Sequence, residues 1–431
     1  MFDSHAKSFA TASHLGPLTE AALHTLRDAA VDWCLFCRER DLYQSDHATA
    51  LLVSPPHLRR ARSALSSLGY ATMPTGRDGT RHFVAYDPRE DSWSMLSLVS
   101  ELSFPSGSLP TVAAAGCLTR RRRAGAVYLL APDDAFWYLL LHRLFDRQSV
   151  RPQDAERLLE LVVEADGGGP IAGVIEPYLP SGWSPARILG HVRRAEWSVL
   201  ATLGRQLRAR WLRRHLVAAS SSILLRRARR DRGTTTGGRP GISVTLLGLD
   251  GAGKSTLAKG LRDSFLVPTR SLYMGPYPAS SFGASQHVPG LGLTLRLLRL
   301  WSRSAAVAYH KVRGRLVVLD RYVLDVLLPP PGHADLRTRT SHWVLRHALP
   351  AVDVVVLLDV PAEVAAQRKD EHTLAWLAER RRQYLDLARQ SAGWHVVDAN
   401  RDPEQVRRTV TAIVWHCYST RGARGGRAPR R

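Results

Sequence analysis

A glycine-rich segment followed by a lysine and two hydroxyl residues is the part of this 431-residue chain best suited to chemistry. It runs from Gly248 to Thr256 and fits the spacing G-x-x-x-x-G-K-[ST] without a mismatch. Glycines at these positions let successive backbone N–H groups converge on phosphate oxygens, and a following helix adds positive potential. The residues that we expect to contact a nucleotide here are Gly248, Asp250, Gly251, Ala252, Gly253, Lys254, Ser255 and Thr256.

Lys254 and Ser255 have the most specific roles in such a loop. The Lys254 ammonium would reach the β- and γ-phosphates of ATP, and the Ser255 hydroxyl would ligate Mg²⁺. The flanking residues fit as well, because 242–247 is an apolar, β-branched run and 256–265 has the pattern of an amphipathic helix. The sequence therefore favours a strand, a phosphate-binding loop and a helix over a glycine-rich turn without a ligand.

A carboxylate and a guanidinium follow a later apolar strand, 316–319, as Asp320-Arg321-Tyr322. At the end of a parallel strand beside the loop, Asp320 could hold Mg²⁺ through water or accept a proton from the acceptor. Arg321 could bind a second phosphate with two parallel hydrogen bonds. A capping aspartate beside a surface arginine is the alternative, and the position after the phosphate-loop strand favours the functional interpretation.

Basic residues cluster around a short polar segment further along the chain. Arg368 and Lys369 precede residues 370–373, and a predicted helix with Glu379-Arg-Arg-Arg-Gln-Tyr384 follows. This arrangement suits a lid that closes over the transferred phosphoryl group, although an exposed, salt-bridged helix has the same composition. Asp359, which ends a predicted strand, is expected to pack or to lead into a helix rather than to catalyse.

Strands and helices alternate beyond residue 241, which predicts an α/β fold with a parallel sheet covered on both faces. Ligands of such sheets bind outside the carboxyl ends of the strands, where the glycine-rich loop lies. The predicted strands are 242–247, 271–274, 316–319, 352–358 and 394–397, and the predicted helices are 256–265, 291–312, 341–348, 362–367, 374–389 and 403–416.

Residues 242–416 resemble the thymidylate kinase family of nucleoside-monophosphate kinases. The resemblance rests on four motifs in the family's order: Gly248–Thr256, Asp320–Tyr322, Leu358-Asp-Val-Pro-Ala-Glu363 and Val397-Asp-Ala-Asn400. It implies that Asp250 contacts the acceptor sugar, and that Arg321, with Tyr322 beside it, binds the acceptor phosphate. It further implies that the segment ending at Asn400 lies near the donor adenine.

The resemblance also implies that the catalytic arginine comes from the lid, because family members with glycine at the position of Gly251 take it from there. That arginine would be Arg368, or else Arg380 and Arg381. A homodimer is a possible assembly.

The segments that read thymine in that family differ in this chain. Leu247 stands where the family has glutamate, 273–278 reads Tyr-Met-Gly-Pro-Tyr-Pro, and 323–329 replaces a base-contacting stretch. The phosphoryl-transfer parts are therefore kept and the thymine-reading parts are not. Phosphoryl transfer from Mg²⁺-ATP is better supported than thymidylate as the acceptor.

The N-terminal half more faintly resembles a nucleotidyltransferase-like domain. Such domains use three carboxylates on two strands to hold two metal ions. Here Ala48 and Ala50 stand where two aspartates belong and Ser97 stands at the third position, while Asp46 lies off the pattern. The sequence predicts a degenerate domain that binds or supports rather than a second active site.

The formal charge of +22 is concentrated in two segments. Residues 205–240 hold eleven arginines against one aspartate, and residues 421–431 hold five arginines and no acid. These segments could attract nucleic acid or an anionic membrane. Arginine-rich connecting and terminal segments exposed to solvent are the alternative, and no aromatic-interleaved binding motif accompanies the arginines.

Four expected regions follow: a degenerate nucleotidyltransferase-like α/β domain (1–184), a basic helical connector (185–240), a P-loop kinase domain (241–418) and a disordered basic tail (419–431). The chain has only four cysteines, no membrane-length apolar run and no signal-peptide pattern at its start, so we expect a cytoplasmic protein. The C-x-x-C of Cys34 and Cys37 lies in an apolar run and is expected to be buried. The favoured function is ATP-dependent phosphoryl transfer to a nucleoside monophosphate or a related phosphorylated small molecule. The alternative is a non-catalytic, ATP-dependent switch whose basic segment binds a polyanion.

Overall fold

The structure is a computed structural model, and the chain divides into two compact units. The first comprises Met1–Ala85 and Ser94–Thr234, and the second comprises Tyr86–Trp93 and Thr235–Arg431. The structure describes residues 16–36, 49–73, 80–104, 110–147, 149–214, 240–273, 291–320, 328, 352–369 and 371–421.

The first unit is built on a mixed seven-stranded sheet. Its strands are β1 (Trp33–Leu35), β2 (Thr49–Val53), β3 (Ala71–Thr72), β4 (Arg81–Asp87), β5 (Ser92–Val99), β8 (Arg122–Ala124) and β9 (Val127–Leu129), and a separate ribbon holds β6 (Leu102–Ser103) and β7 (Pro110–Thr111). The spatial order is β3-β4-β5-β2-β1-β9-β8. β1 lies antiparallel to β2 and parallel to β9, and β2 lies parallel to β5.

Eight helices accompany this sheet in the described part of the first unit, and those from residue 113 onward contribute most of one apolar core. The eight helices are α1 (Pro17–Asp28), α2 (Leu58–Ser67), α3 (Ala113–Arg120), α4 (Pro132–His142), α5 (Pro152–Glu164), α6 (Pro170–Ile175), α7 (Pro185–Arg193) and α8 (Trp197–Arg214). α4 begins with a proline and carries Asp133 and Asp134 in its first turn, where the helix dipole favours acids.

The basic connector (185–240) begins with two helices, α7 and α8, that contribute to the core of the first unit. α8 buries Leu200, Leu203, Leu207 and Trp211, and all four belong to the apolar core of the first unit. Their spacing places them on one helix face, with the arginines on the other side. Leu207 and Trp211 of the arginine-rich segment 205–240 therefore pack inside this unit, while residues 215–239 of the connector lie outside the described residues.

The second unit contains a sheet of five parallel strands. They are β10 (Ser243–Gly248), β11 (Thr269–Tyr273), β12 (Leu316–Asp320), β13 (Val354–Asp359) and β14 (Trp394–Asp398), in the order β11-β12-β10-β13-β14. All four neighbouring pairs are parallel. β10 is buried along its whole length, as its continuous apolar and β-branched sequence predicts.

Helices α9 (Lys254–Ser264), α10 (Leu291–Val312), α11 (Ala362–Arg368), α12 (Leu374–Gln390) and α13 (Pro403–Arg421) accompany the strands. The predicted α/β class with a parallel sheet is confirmed for this unit, and an α/β unit precedes it. The predicted helix 341–348 lies outside the described residues. No helix in the described ranges is long and apolar enough to span a membrane.

Candidate active site

The glycine-rich segment forms a tight loop between β10 and α9. Gly253 adopts a φ of 86° at the start of α9, a left-handed conformation that residues with a Cβ rarely adopt. Gly251 has a φ of 89°, and a Cβ placed there would lie 2.7 Å from the Ala365 carbonyl oxygen. Two of the predicted glycines are thus required by backbone conformation and, at Gly251, by the close approach of α11.

Lys254 turns its ammonium group back toward this loop. Its Nζ donates to the carbonyl oxygens of Gly248 and Leu249, at 2.8 and 2.9 Å, and lies 3.6 Å from an Asp250 carboxylate oxygen. The side chain is only 14% exposed. Loop carbonyls therefore hold a fixed cation inside the curve of the loop, where anionic phosphates would be attracted.

The first turn of α9 carries the two predicted hydroxyl residues. Ser255 and Thr256 are both exposed and directly follow Lys254. The amino end of an 11-residue helix adds unpaired N–H groups and partial positive charge at this position. The arrangement suits a bound phosphate and a metal ion coordinated by the Ser255 hydroxyl.

Asp320 is the last residue of β12, the strand next to β10. Thr245 of β10 is paired with Leu319, so the backbone of Asp320 lies beside the strand that leads into the loop. The carboxyl ends of adjacent parallel strands meet at one edge of a sheet, which is where the loop starts. Arg321 and Tyr322 lie outside the described residues, and their proposed contacts with an acceptor stay predictions.

The three candidate lid arginines occupy different environments. Arg368 ends α11, is exposed, and has its Nη1 3.5 Å from the Gly251 carbonyl oxygen. Arg381 forms two hydrogen bonds, of 2.6 and 2.8 Å, to the Asp359 carboxylate. Arg380 lies over Trp376 and Tyr384, 5.8 and 5.6 Å from their ring centres. Of the three, Arg368 is the one beside the phosphate loop.

Two residues that sequence reasoning did not assign also lie beside the loop. Ligand atoms of Glu371, His372 and Asp250 are all within 4.8 Å of one another. The His372 ring packs against the Trp376 ring, with centroids 3.9 Å apart and a tilt of 31° between the ring planes. The polar segment after α11 was recognisable in the sequence, but its position over Asp250 follows from the packing of α11 against Gly251.

The segment predicted to lie near the adenine follows the edge strand β14. Asp398 pairs in register with Asp359, and the Ala399 N–H donates to the Asp359 carbonyl oxygen at 2.7 Å. Asn400 is exposed, and its N–H donates to the Asp398 carboxylate at 3.0 Å. This hydrogen bond, with one from Arg401, lowers the pKa of Asp398. The turn that carries Asn400 is thereby fixed at the carboxyl edge of the sheet.

In the N-terminal unit, the two strands that correspond to the metal-binding strands of nucleotidyltransferase-like domains lie side by side. β2 and β5 are parallel neighbours, with Ala50 opposite Ser97. The Ser97 hydroxyl lies 2.8 Å from Nδ1 of His82 and is buried. Ala48 and Asp46 lie outside the described residues, so the loss of metal binding stays a prediction.

Comparison with known proteins shows that the C-terminal region is similar to thymidylate kinases. Residues 247–410 match the family model described as "Thymidylate kinase". A thymidylate kinase of Rhodopirellula baltica is 28% identical over 204 residues, which is 40% of this chain and 80% of that protein. A thymidylate kinase of Mycobacterium tuberculosis is 28% identical over 205 residues, which is 39% of this chain and 96% of that protein.

A solved thymidylate kinase structure from Candida albicans aligns with 41% of this chain and 91% of that chain, at 17% identity and a TM-score of 0.32. The resemblance of the C-terminal part to thymidylate kinases is therefore confirmed at the level of sequence. The N-terminal unit lies outside the matched residues.

Proposed function

We propose that the second unit transfers the γ-phosphoryl group of ATP to a nucleoside monophosphate. The observation that carries this proposal is the position of two cations on one phosphate loop, Lys254 within its curve and Arg368 at 3.5 Å from the Gly251 carbonyl. Phosphoryl transfer depends on positioning and on neutralising negative charge, and fixed cations supply both. The match of residues 247–410 to thymidylate kinases supports the same reaction class.

In this reaction an oxygen of the acceptor phosphate forms a bond to the γ-phosphorus as the bond to the β-phosphate oxygen breaks. The products are ADP and a nucleoside diphosphate. Lys254 would hold the β- and γ-phosphates, and Arg368 would neutralise the charge that develops on the moving group. Arg321 would orient the acceptor phosphate. Mg²⁺, held by Ser255 and Asp320, would supply charge neutralisation at the phosphate oxygens.

The loop of this chain lacks the acidic residue that precedes the first glycine in the family it resembles. Leu247 is buried at the end of β10, where the family resemblance implies a glutamate, so an acidic contact is replaced by an apolar one. We expect a nucleoside monophosphate or a related phosphorylated small molecule, without a preference for thymine imposed by that position.

The test uses the full-length protein with Mg²⁺-ATP and a panel of purine and pyrimidine monophosphates. ADP release and nucleoside diphosphate formation are measured together, with Lys254→Ala as the inactive control. Diphosphate formation with at least one acceptor is the expected result. ATP binding without turnover on any member of the panel would contradict the proposal and favour a non-catalytic switch.

A further inference from the structure

Three arginines and a histidine form a cluster at the amino-terminal edge of the C-terminal sheet. They are Arg270 on β11, His310 near the end of α10, and Arg313 and Arg315 in the turn that leads to β12. Arg315 Nη1 lies 3.0 Å from His310 Nδ1, and the Arg313 guanidinium lies 4.4 Å from the Tyr309 ring centre. We call these four residues the basic cluster.

The basic cluster is separate from the phosphate loop. The loop follows the carboxyl end of β10, whereas the cluster lies where β11 and β12 begin. The strands are parallel, and a five-residue strand spans about 16 Å, so the two features are on opposite edges of the sheet. The basic cluster therefore takes no part in the proposed phosphoryl transfer.

The basic cluster has no acidic counterpart in the described part of the chain. No carboxylate there forms an ion pair with Arg270, Arg313 or Arg315. Asp353, a partly buried acid at this edge, already forms ion pairs with Lys311, at 2.7 Å, and with Arg421. Positive charges placed together without an anion repel one another, which is costly when the groups are partly buried.

The pKa values of His310 and Arg315 are lowered, as expected for basic groups that lie close together. Burial lowers the pKa of His310, and Arg315, Arg270 and Arg313 lower it further. Burial, followed by repulsion from Arg270 and Arg313, also lowers the pKa of Arg315. An anion bound among these groups would relieve the repulsion and raise both pKa values.

The backbone that carries the cluster is fixed in place. Gly314 has a φ of 70° and donates its N–H to the Lys311 carbonyl oxygen at 2.9 Å. The buried Tyr418 hydroxyl donates to the Gly314 carbonyl oxygen at 3.0 Å. The Arg315 N–H donates to the His310 carbonyl oxygen at 3.1 Å. A fixed turn reduces the backbone's share of the conformational entropy lost when Arg313 and Arg315 bind a ligand.

We propose that the basic cluster binds a small phosphoanion with several negative charges, of the pyrophosphate class. Planar guanidinium groups match phosphate oxygens with paired hydrogen bonds, and three of them with an imidazole can satisfy a compact anion. The cluster comprises one turn and the start of one edge strand. This compactness favours a small anion over an extended polyanion, which would require cations along a longer path.

Calorimetric titration of inorganic pyrophosphate into the full-length protein tests this proposal. The Lys254→Ala variant is the background, because it removes the Lys254 cation from the phosphate loop. In that background Arg315→Gln and Arg270→Gln are each expected to weaken pyrophosphate binding by about tenfold, the loss of one charged hydrogen-bonding group. Arg59→Gln, which removes an exposed arginine of α2, is the matched control and should change affinity less than about twofold.

A second measurement follows His310 itself by NMR of the ring Cε1–H, assigned by its loss in His310→Gln. Pyrophosphate is expected to raise the His310 pKa in the Lys254→Ala background, and Arg315→Gln should abolish that rise. If Arg315→Gln fails to fold, Arg270→Gln at the exposed start of β11 gives the same comparison.

Three results would overturn the proposal. The first is an absence of saturable pyrophosphate binding in the Lys254→Ala background. The second is an equal loss of pyrophosphate affinity in Arg59→Gln. The third is that Arg315→Gln and Arg270→Gln lose affinity for a single-stranded oligonucleotide but not for pyrophosphate. The first would show that the cluster takes no small phosphoanion. The second would assign the binding to diffuse charge, and the third would assign the cluster to a nucleic acid.

Discussion

The ammonium group of Lys254 is held in place by hydrogen bonds to the phosphate loop. Its Nζ contacts two loop carbonyl oxygens at 2.8 and 2.9 Å, so the cation is already positioned where nucleotide phosphates would arrive. Lys254→Ala should weaken ATP binding by about 100-fold, the loss expected for a strong charged hydrogen bond. Titration of a fluorescent ATP analogue measures the change. Lys259→Ala, an exposed lysine on the same helix, is the control, and equal affinities in both variants would remove the basis for a phosphate loop.

Arg368 and Arg381 contact different groups, so their substitution should have different effects. Arg368 lies beside the loop, so Arg368→Ala should lower kcat by about 10²-fold while ATP binding stays nearly constant. Arg381 is engaged by Asp359, so Arg381→Ala should mainly lower stability, by about 1 kcal/mol at this partly exposed position. Steady-state kinetics and thermal melts separate the two, with Arg382→Ala as a control on the same helix. A larger kcat loss in Arg381→Ala would transfer the catalytic role to Arg381.

Asp353 links three elements at the amino-terminal edge of the sheet. It accepts hydrogen bonds from Ser243 of β10, at 2.8 Å, and forms ion pairs with Lys311 of α10 and Arg421 of α13. Burial alone would raise the pKa of Asp353, but the hydrogen bonds from Lys311, Ser243 and Arg421 outweigh it and lower the pKa. The ionised carboxylate therefore stabilises the fold.

The sign of this pKa shift gives a prediction about pH. A pKa below its unfolded value stabilises the protein above the unfolded pKa, and the benefit disappears as pH falls through the folded pKa. Asp353→Asn should lower the free energy of unfolding by about 2 kcal/mol at pH 7. The difference from the parent should shrink below about pH 4, the usual range of an aspartate. Denaturant titrations at several pH values measure it, and a penalty constant down to pH 2 would refute the linkage.

Periodicity predicted the elements around the candidate site, because each is a long segment with one repeating pattern. The helix expected at 291–312 is observed as α10, and the strand expected at 242–247 is β10 within one residue. Short strands were harder to predict. The run 31–35 follows α1 without glycine or proline, and the change of direction occurs at Ala30 with a φ of 50°. β1 is then stabilised by pairing with β2 and β9, contacts that no local pattern encodes.

In the candidate site, too, the sequence could predict some features and not others. The loop residues and the position of Asp320 could be predicted, because motif spacing and strand ends fix them. The choice among the lid arginines could not, since Arg368, Arg380 and Arg381 have similar local sequence. The packing of Ala365 against Gly251 and the pairing of Arg381 with Asp359 distinguish them, and both are contacts between residues distant in the sequence.

The positive charge of the whole molecule is unevenly distributed along the chain. The net charge is +22, and the arginine-rich segment 205–240 supplies much of it. Leu207 and Trp211, which could have anchored that segment in a bilayer, are 1% and 3% exposed in the core of the first unit. These two side chains are therefore not available to a bilayer, and we expect attraction to an anionic surface to come from charge, at about 1 kcal/mol for each arginine near the surface.

Binding of this kind depends on ionic strength, because mobile ions screen exposed charges beyond about 8 Å at physiological salt. We expect the full-length protein to sediment with anionic vesicles at low salt, to be released at high salt, and to ignore neutral vesicles throughout. Sedimentation at two salt concentrations measures this. Binding that persists at high salt, or that extends to neutral vesicles, would require an exposed apolar anchor and would contradict an interaction based on charge alone.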